Sequence, residues 1–128
     1  MKEIIISDDK SKLDVGLIHK FLTTSYWAEG RTIEQVKNSI EHSICFGVYK
    51  NDKQIGFARV LTDCTVFAYL MDVFILEEFR GNGFSKLLLN TIFEDDRFKS
   101  VRSGCEQQKM RIRFMLNLDL EKLETLND

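Results

Sequence analysis

The sequence contains no proline, where a chain of this length ordinarily carries about six. That absence excludes polyproline segments and Pro-rich linkers, and it leaves glycine and Asn/Asp turns to separate the elements. Cysteine is scarce as well. Cys45, Cys64 and Cys105 lie too far apart for a disulfide framework or a zinc pair, which predicts a reducing, cytoplasmic setting. The two histidines, His19 and His42, fall on helical segments without a Cys or His at ligand spacing; they read as solvated surface residues, and no metal is expected. An excess of one charge is also missing. Eighteen basic and twenty acidic residues give a net charge of −2 and a pI near 5.7, so neither nucleic acid nor an anionic membrane is an expected partner. No apolar run approaches the roughly 18 residues of a membrane span, and the opening segment is too short to read as a signal peptide.

What the chain does have is a core. Its 128 residues are 44% hydrophobic and include ten Phe, enough to fold as one domain without disulfide or metal staples. Ile4 to Ile6 predict a first strand, and Leu13 to Leu22 follow a helical rhythm. Thr32 and Gln35 form a capping-box signature, followed by an apolar stripe of Ile33, Val36, Ile40 and Ile44. The period then changes to that of strands: Cys45–Lys50, Gln54–Leu61 and a nearly continuous apolar run from Val66 to Leu76. Phe84, Leu87, Leu88, Ile92 and Phe93 predict the core stripe of a further helix. The resulting class is α+β, with helices packed on a mostly antiparallel sheet.

Chemistry concentrates in the passage from Leu70 to Lys86. One charge, Asp72, interrupts the apolar strand, and the strand runs through Gly81 and Gly83 into a helix. Glycines at a helix start let backbone N–H groups converge where the helix dipole is positive, which suits a phosphate or pyrophosphate. The spacing is neither that of a Walker loop nor that of a dinucleotide fingerprint. An anion cradle and a plain turn are both open on these residues alone. Asp72 likewise has two readings: a general base set in an apolar strand, or a structural carboxylate bonded to nearby backbone.

Arg80-Gly81-Asn82-Gly83-Phe84-Ser85 resembles the acyl-CoA pyrophosphate loop of the GNAT N-acetyltransferase superfamily, Gln/Arg-x-x-Gly-x-Gly/Ala. Arg80 and Gly83 match, and Ser85 stands at the last small position. The segments Ser25–Arg31, Cys45–Tyr49, Gly56–Val60 and Phe67–Phe74 resemble one bacterial branch of that superfamily, so the likeness covers roughly residues 20 to 98. The resemblance implies a GNAT-like sheet and acetyl-CoA as co-substrate. It implies that Val73, Phe74 and Ile75 offer backbone groups to the pantetheine arm, and that Arg80, Gly81, Asn82, Gly83, Phe84, Ser85 and Lys86 cradle the pyrophosphate. It implies direct attack by a small-molecule or peptide amine, with Asp72 as base. Tyr26, Trp27 and Arg31 would line the acceptor pocket; equally, the two aromatics are core and Arg31 pairs with Glu29 or Glu34.

The resemblance ends near Val101, dividing the chain into an acyltransferase-like domain over residues 1–101 and an atypical segment over 102–128. Residues 102–128 contain no Tyr and no His, whereas the family carries a Tyr acid there, so the family's last strands and helix are expected to be atypical or missing. Back-translation in a shifted frame yields Trp-Met-Arg-Ala-Thr-Lys-Asp-Ala-His-Ser-Phe-Tyr-Ala-Lys-Phe-Gly-Phe, which is similar to the family ending and includes that Tyr. A one-base deletion near Arg102 would explain the divergence. Three functions therefore stand: an N-acetyltransferase, a non-catalytic acyl-CoA-binding remnant, and an interaction domain pairing through an exposed sheet edge, compatible with a homodimer.

Overall fold

The computed structural model describes residues 4–24 and 30–103. Strands β1 (Ile4–Ser7), β2 (Ile44–Lys50), β3 (Lys53–Thr62) and β4 (Ala68–Ile75) form one sheet in the order β1-β2-β3-β4. Every pairing is antiparallel. Helices α1 (Val15–Thr23) and α2 (Ile33–Glu41) precede β2, whereas α3 (Phe84–Phe93) and the short α4 (Lys99–Ser103) follow β4. The α+β architecture expected from the sequence is the one observed.

Local chemistry fixes the helix starts. The Asp14 side chain accepts from the Leu17 N–H at 3.1 Å, and the Asp14 N–H donates to Gln54 Oε1 at 2.7 Å, tying α1 to β3. The capping box of α2 is complete: Gln35 N–H donates to Thr32 Oγ1, and Thr32 N–H donates to Gln35 Oε1. Ile33, however, is 40% exposed, and Ile44 lies in β2 rather than in the helix. Strand β4 is shorter than its apolar run predicts. Asp63 Oδ1 accepts from the N–H groups of Thr65, Val66 and Phe67, so a side chain satisfies the backbone there and the ladder starts at Ala68.

The sheet carries a separate core on each face. Ile18, Leu22, Val36 and Ile40 of α1 and α2 meet Cys45, Phe57 and Phe74 on one side. Phe84, Leu88 and Ile92 of α3, with Phe98 and Val101, meet Phe46, Val48, Ala58, Val60, Leu70, Val73 and Ile75 on the other. Leu87, predicted in the stripe of α3, is 45% exposed because the buried face runs through Phe84, Ser85, Leu88 and Ile92. Burying a side chain such as Phe57 contributes about 2–3 kcal/mol, so the two layers hold the sheet rigid under the site.

One irregularity positions the chemistry. Phe57 faces Phe74 and Arg59 faces Met71, so β4 carries one residue more than β3 at this point. The alternation of β4 shifts accordingly. Leu70 and Val73, three apart, both pack on the α3 side, and Asp72 within the bulge adopts φ +59°. A non-glycine residue in this region costs about 1–2 kcal/mol, and such bulges recur where a strand re-aims a side chain.

Candidate active site

Asp72 is 1% exposed on the α1/α2 side of β4. Its Oδ2 accepts from Arg31 Nη1 and from Arg59 Nε, each at 2.8 Å. Arg59, with a side chain 9% exposed, is engaged at all three nitrogens: beside the Nε contact, Nη1 donates to Ser43 Oγ at 3.0 Å, and Nη2 approaches Met71 Sδ at 3.1 Å. Arg31 keeps 17% of its side-chain exposure, and Nη1 is its one engaged donor among the described residues. Asp72 Oδ1 is buried without a hydrogen-bond partner among the described residues. The bulge therefore presents a carboxylate with one oxygen neutralised twice and the other bare.

These contacts correct three expectations. Arg31 pairs with Asp72, forty-one residues away, and not with Glu34; Glu29 lies outside the described residues, as do Tyr26 and Trp27. The structural reading of Asp72 placed backbone groups around it, yet guanidinium groups hold it. His19 is not a solvated surface residue: its Nε2 lies 2.9 Å from the Arg31 carbonyl oxygen in a half-buried contact, joining α1 to the Arg31 segment. Arg59 and Ser43 were not singled out by the sequence. The available signal was electrostatic, since Arg59 is the one charge within Ile55–Leu61 as Asp72 is within Val66–Leu76, and buried lone charges must pair.

Cys45 faces Arg59 across the β2–β3 ladder. Burial pushes its thiol up to about 11, so it stays protonated near neutral pH and supplies no thiolate nucleophile.

Three residues beyond Asp72, β4 ends and the glycine turn begins. The Asn82 side-chain amide donates to the carbonyls of Phe79 and Arg80, and Arg80 Nε donates to the Ile75 carbonyl at 2.9 Å. These bonds fold the turn back on the strand end. Gly81 at φ +82° and Gly83 at φ +78° then carry the backbone into α3. No side chain caps that helix, and the first intrahelical bond to Gly83 O comes from Leu87. The N–H groups of Phe84, Ser85 and Lys86 thus form the uncapped, positive end of a ten-residue helix. A Cβ built on Gly81 or Gly83 meets nothing within 4 Å, so open space lies over the turn. Convergent donors, positive dipole and free volume fit a pyrophosphate group.

The edge of β4 opposite β3 pairs with no described strand. The Ile75 carbonyl is already taken by Arg80. Among the described residues no group of His, Cys, Asp and Glu is arranged to hold a metal ion, and no helix is long and apolar enough to cross a membrane.

A family model for the GNAT acetyltransferase domain matches residues 41–122, from the end of α2 past the last described residue. A candidate acetyltransferase of the GNAT family from Xanthomonas campestris pv. campestris, known from a crystal structure, is 34% identical; the match covers 97% of this chain and 91% of that one with a TM-score of 0.77. A protein of Gibberella zeae, named as a candidate acetyltransferase, is 28% identical over 72% of this chain, and the matched region spans 63% of its own length. An aminoglycoside N-acetyltransferase solved in complex with CoA shares the fold at 18% identity and a TM-score of 0.53, covering 83% of this chain and 73% of that one. The family match over 41–122 and the likeness along nearly the whole chain show that this chain belongs to the GNAT family.

Proposed function

We propose that the domain binds acetyl-CoA and transfers the acetyl group to the amine of a small molecule or peptide. The observation that carries this reading is the uncapped N-terminus of α3, reached through two glycines at positive φ beneath open space. The N–H groups from Gly81 to Lys86 hold the pyrophosphate, and the edge of β4 opposite β3, at Val73 and Phe74, aligns the pantetheine arm as an added strand would. Bound acetyl-CoA supplies an activated thioester. Asp72 receives the acceptor's ammonium proton at Oδ1, directly or through one water, while Arg31 and Arg59 hold Oδ2 and fix the carboxylate's direction. Tyr26 and Trp27 complete the acceptor pocket beside Arg31 in this reading.

A second reading, acyl-CoA binding without turnover, is favoured by one observation: residues 102–128 offer no Tyr or His to protonate the departing thiolate. Calorimetry with acetyl-CoA, followed by thiol release over an amine panel, tests both. Binding with turnover supports the transferase, binding alone the remnant, and no binding at millimolar acetyl-CoA overturns both.

A further inference from the structure

Among the described residues the cluster around Asp72 is not neutral. Two guanidinium groups meet one carboxylate, so the described residues leave one positive charge uncompensated. The surplus can be located. Arg59 spends Nε, Nη1 and Nη2 on Asp72, Ser43 and Met71, whereas Arg31 spends Nη1 alone. Arg31 is also the more exposed of the two, at 17% against 9%. An anion entering from outside therefore meets the unspent donors of Arg31, in the fork geometry that suits a carboxylate. Beside them stands Asp72 Oδ1, a buried carboxylate oxygen without a partner among the described residues. Arg31 Nη1 and Asp72 Oδ2 are in contact at 2.8 Å, so the free donors and the free acceptor belong to two groups that touch each other.

On the reading that this site acetylates an amine, we propose that the acceptor is a compact zwitterion of the α-amino acid class. Its carboxylate docks on Arg31 and its ammonium on Asp72 Oδ1. A carboxylate on Arg31 neutralises the cluster, and an ammonium on Oδ1 satisfies the one bare oxygen; a simple amine does only the second. Arg31 is then a specificity residue. Its tie to α1 through His19 holds its backbone while the side chain reads the anion.

The test is calorimetric titration of the full chain with L-alanine, L-leucine and L-glutamate against their α-carboxamides, with and without CoA. The acids bind about tenfold or more tightly than the amides, the scale of one charge-assisted hydrogen-bonded pair. Arg31→Gln brings the acid-to-amide ratio to about one, and Arg31→Lys, which keeps a cation facing Asp72 if the Gln variant fails to fold, lowers it by about threefold or more. Equal binding of acids and amides, preference for the amides, no binding by any member, or an unchanged ratio in Arg31→Lys each overturn the proposal. CoA affinity is measured separately in the same titrations. If CoA fails to bind, the acetyl-transfer reading falls, while the acid-to-amide ratio measured without CoA still decides this one; if the Arg31 variants lose CoA affinity at an unchanged ratio, the guanidinium serves the cofactor and the acceptor assignment is wrong.

Discussion

Arg59 Nε lies 2.8 Å from Asp72 Oδ2 at the point where β4 gains its extra residue, so the lone charges of two adjacent buried strands meet at the bulge. Removing one partner of such a pair leaves the other buried and uncompensated, at a cost of about 3–5 kcal/mol. Asp72→Leu is therefore expected to lower unfolding stability by about 3 kcal/mol or more. Adding Arg59→Met to that background restores part of the loss. A urea double-mutant cycle measures the coupling, expected at about 1–3 kcal/mol; additive effects would show that the two charges do not depend on each other.

Gly83 separates ligand binding from stability. A Cβ there meets no atom within 4 Å, so the main cost to the folded state is what φ +78° imposes on a β-branched residue, at least about 1–2 kcal/mol. The same side chain fills the space over the helix N-terminus. Gly83→Val should fold with a modestly reduced denaturation midpoint and lose measurable CoA binding by calorimetry. Unchanged CoA affinity would place the pyrophosphate elsewhere.

Gly56 separates packing from conformation. A Cβ there lies 2.6 Å from Ile75 Cδ1 and 3.0 Å from the Phe74 carbonyl oxygen, which is backbone and cannot swing away. Overpacking of this kind costs about 1–3 kcal/mol. Gly56→Ala is expected to lower stability within that range and to shift the end of β4 from which the glycine turn starts. Amide exchange should accelerate at Leu76, whose N–H donates to the Ile55 carbonyl at 2.8 Å; a variant as stable as the parent would mean that β3 and β4 separate freely here.

Residue patterns made the scaffold legible where local chemistry decides structure. Thr32 and Gln35 announced α2 because a capping box is a short-range device, and the short apolar run Cys45–Tyr49, closed by the polar Lys50-Asn51-Asp52-Lys53, announced β2 because it is too short for a helix and ends in a turn. The glycine turn was legible as a turn, and the left-handed φ at Gly81 and Gly83 is why glycine stands there. The Asp72 cluster was legible only in part. Asp72 stood out as a charge in an apolar run, but its partners come from the chain before α2 and from β3, and pairing across forty-one residues has no sequence period. The bulge was hidden for the same reason, since a register shift belongs to two strands and shows in neither alone. Leu87 was misplaced because Phe, Leu and Ile fill α3 so densely that the apolar face could be drawn through more than one line of residues.

Two buried acids set the alkaline limit of the fold. Burial pushes the Cys45 thiol from 9.0 up to about 11 and the Tyr49 phenol from 10.0 up to about 12. In the unfolded chain both groups lose their protons at lower pH than in the native state. Between about pH 9 and 12 the native state therefore binds more protons, and stability falls as pH rises; the contribution is whole below pH 9 and lost above 12. Denaturation midpoints measured from pH 7 to 12 should drop over that window. Cys45→Ala should flatten the earlier part and Tyr49→Phe the later part. The Tyr49 hydroxyl is buried without a partner among the described residues, so Tyr49→Phe should also leave stability at pH 7 equal or slightly higher. A midpoint independent of pH above 9 would refute the burial of both groups.

The reading of residues 102–128 as an out-of-frame ending has the sharpest consequence for turnover. As written, that segment holds no Tyr and no His, so the thiolate leaving acetyl-CoA lacks the Tyr acid that the family resemblance implies there. In the shifted frame a Tyr returns with the residues around it. The expected finding is a nucleotide sequence across codons 98–110 that fits both frames, with a single base missing near Arg102. Reinserting one base should then give a protein that releases thiol from acetyl-CoA in the presence of its acceptor, with CoA affinity close to that of the chain as written, because the glycine turn lies in the shared part. Codons incompatible with the shifted reading would make the tail native. Thiol release by the chain as written, at the rate of the reinserted form, would show that water or another side chain protonates the leaving group and that the Tyr is dispensable.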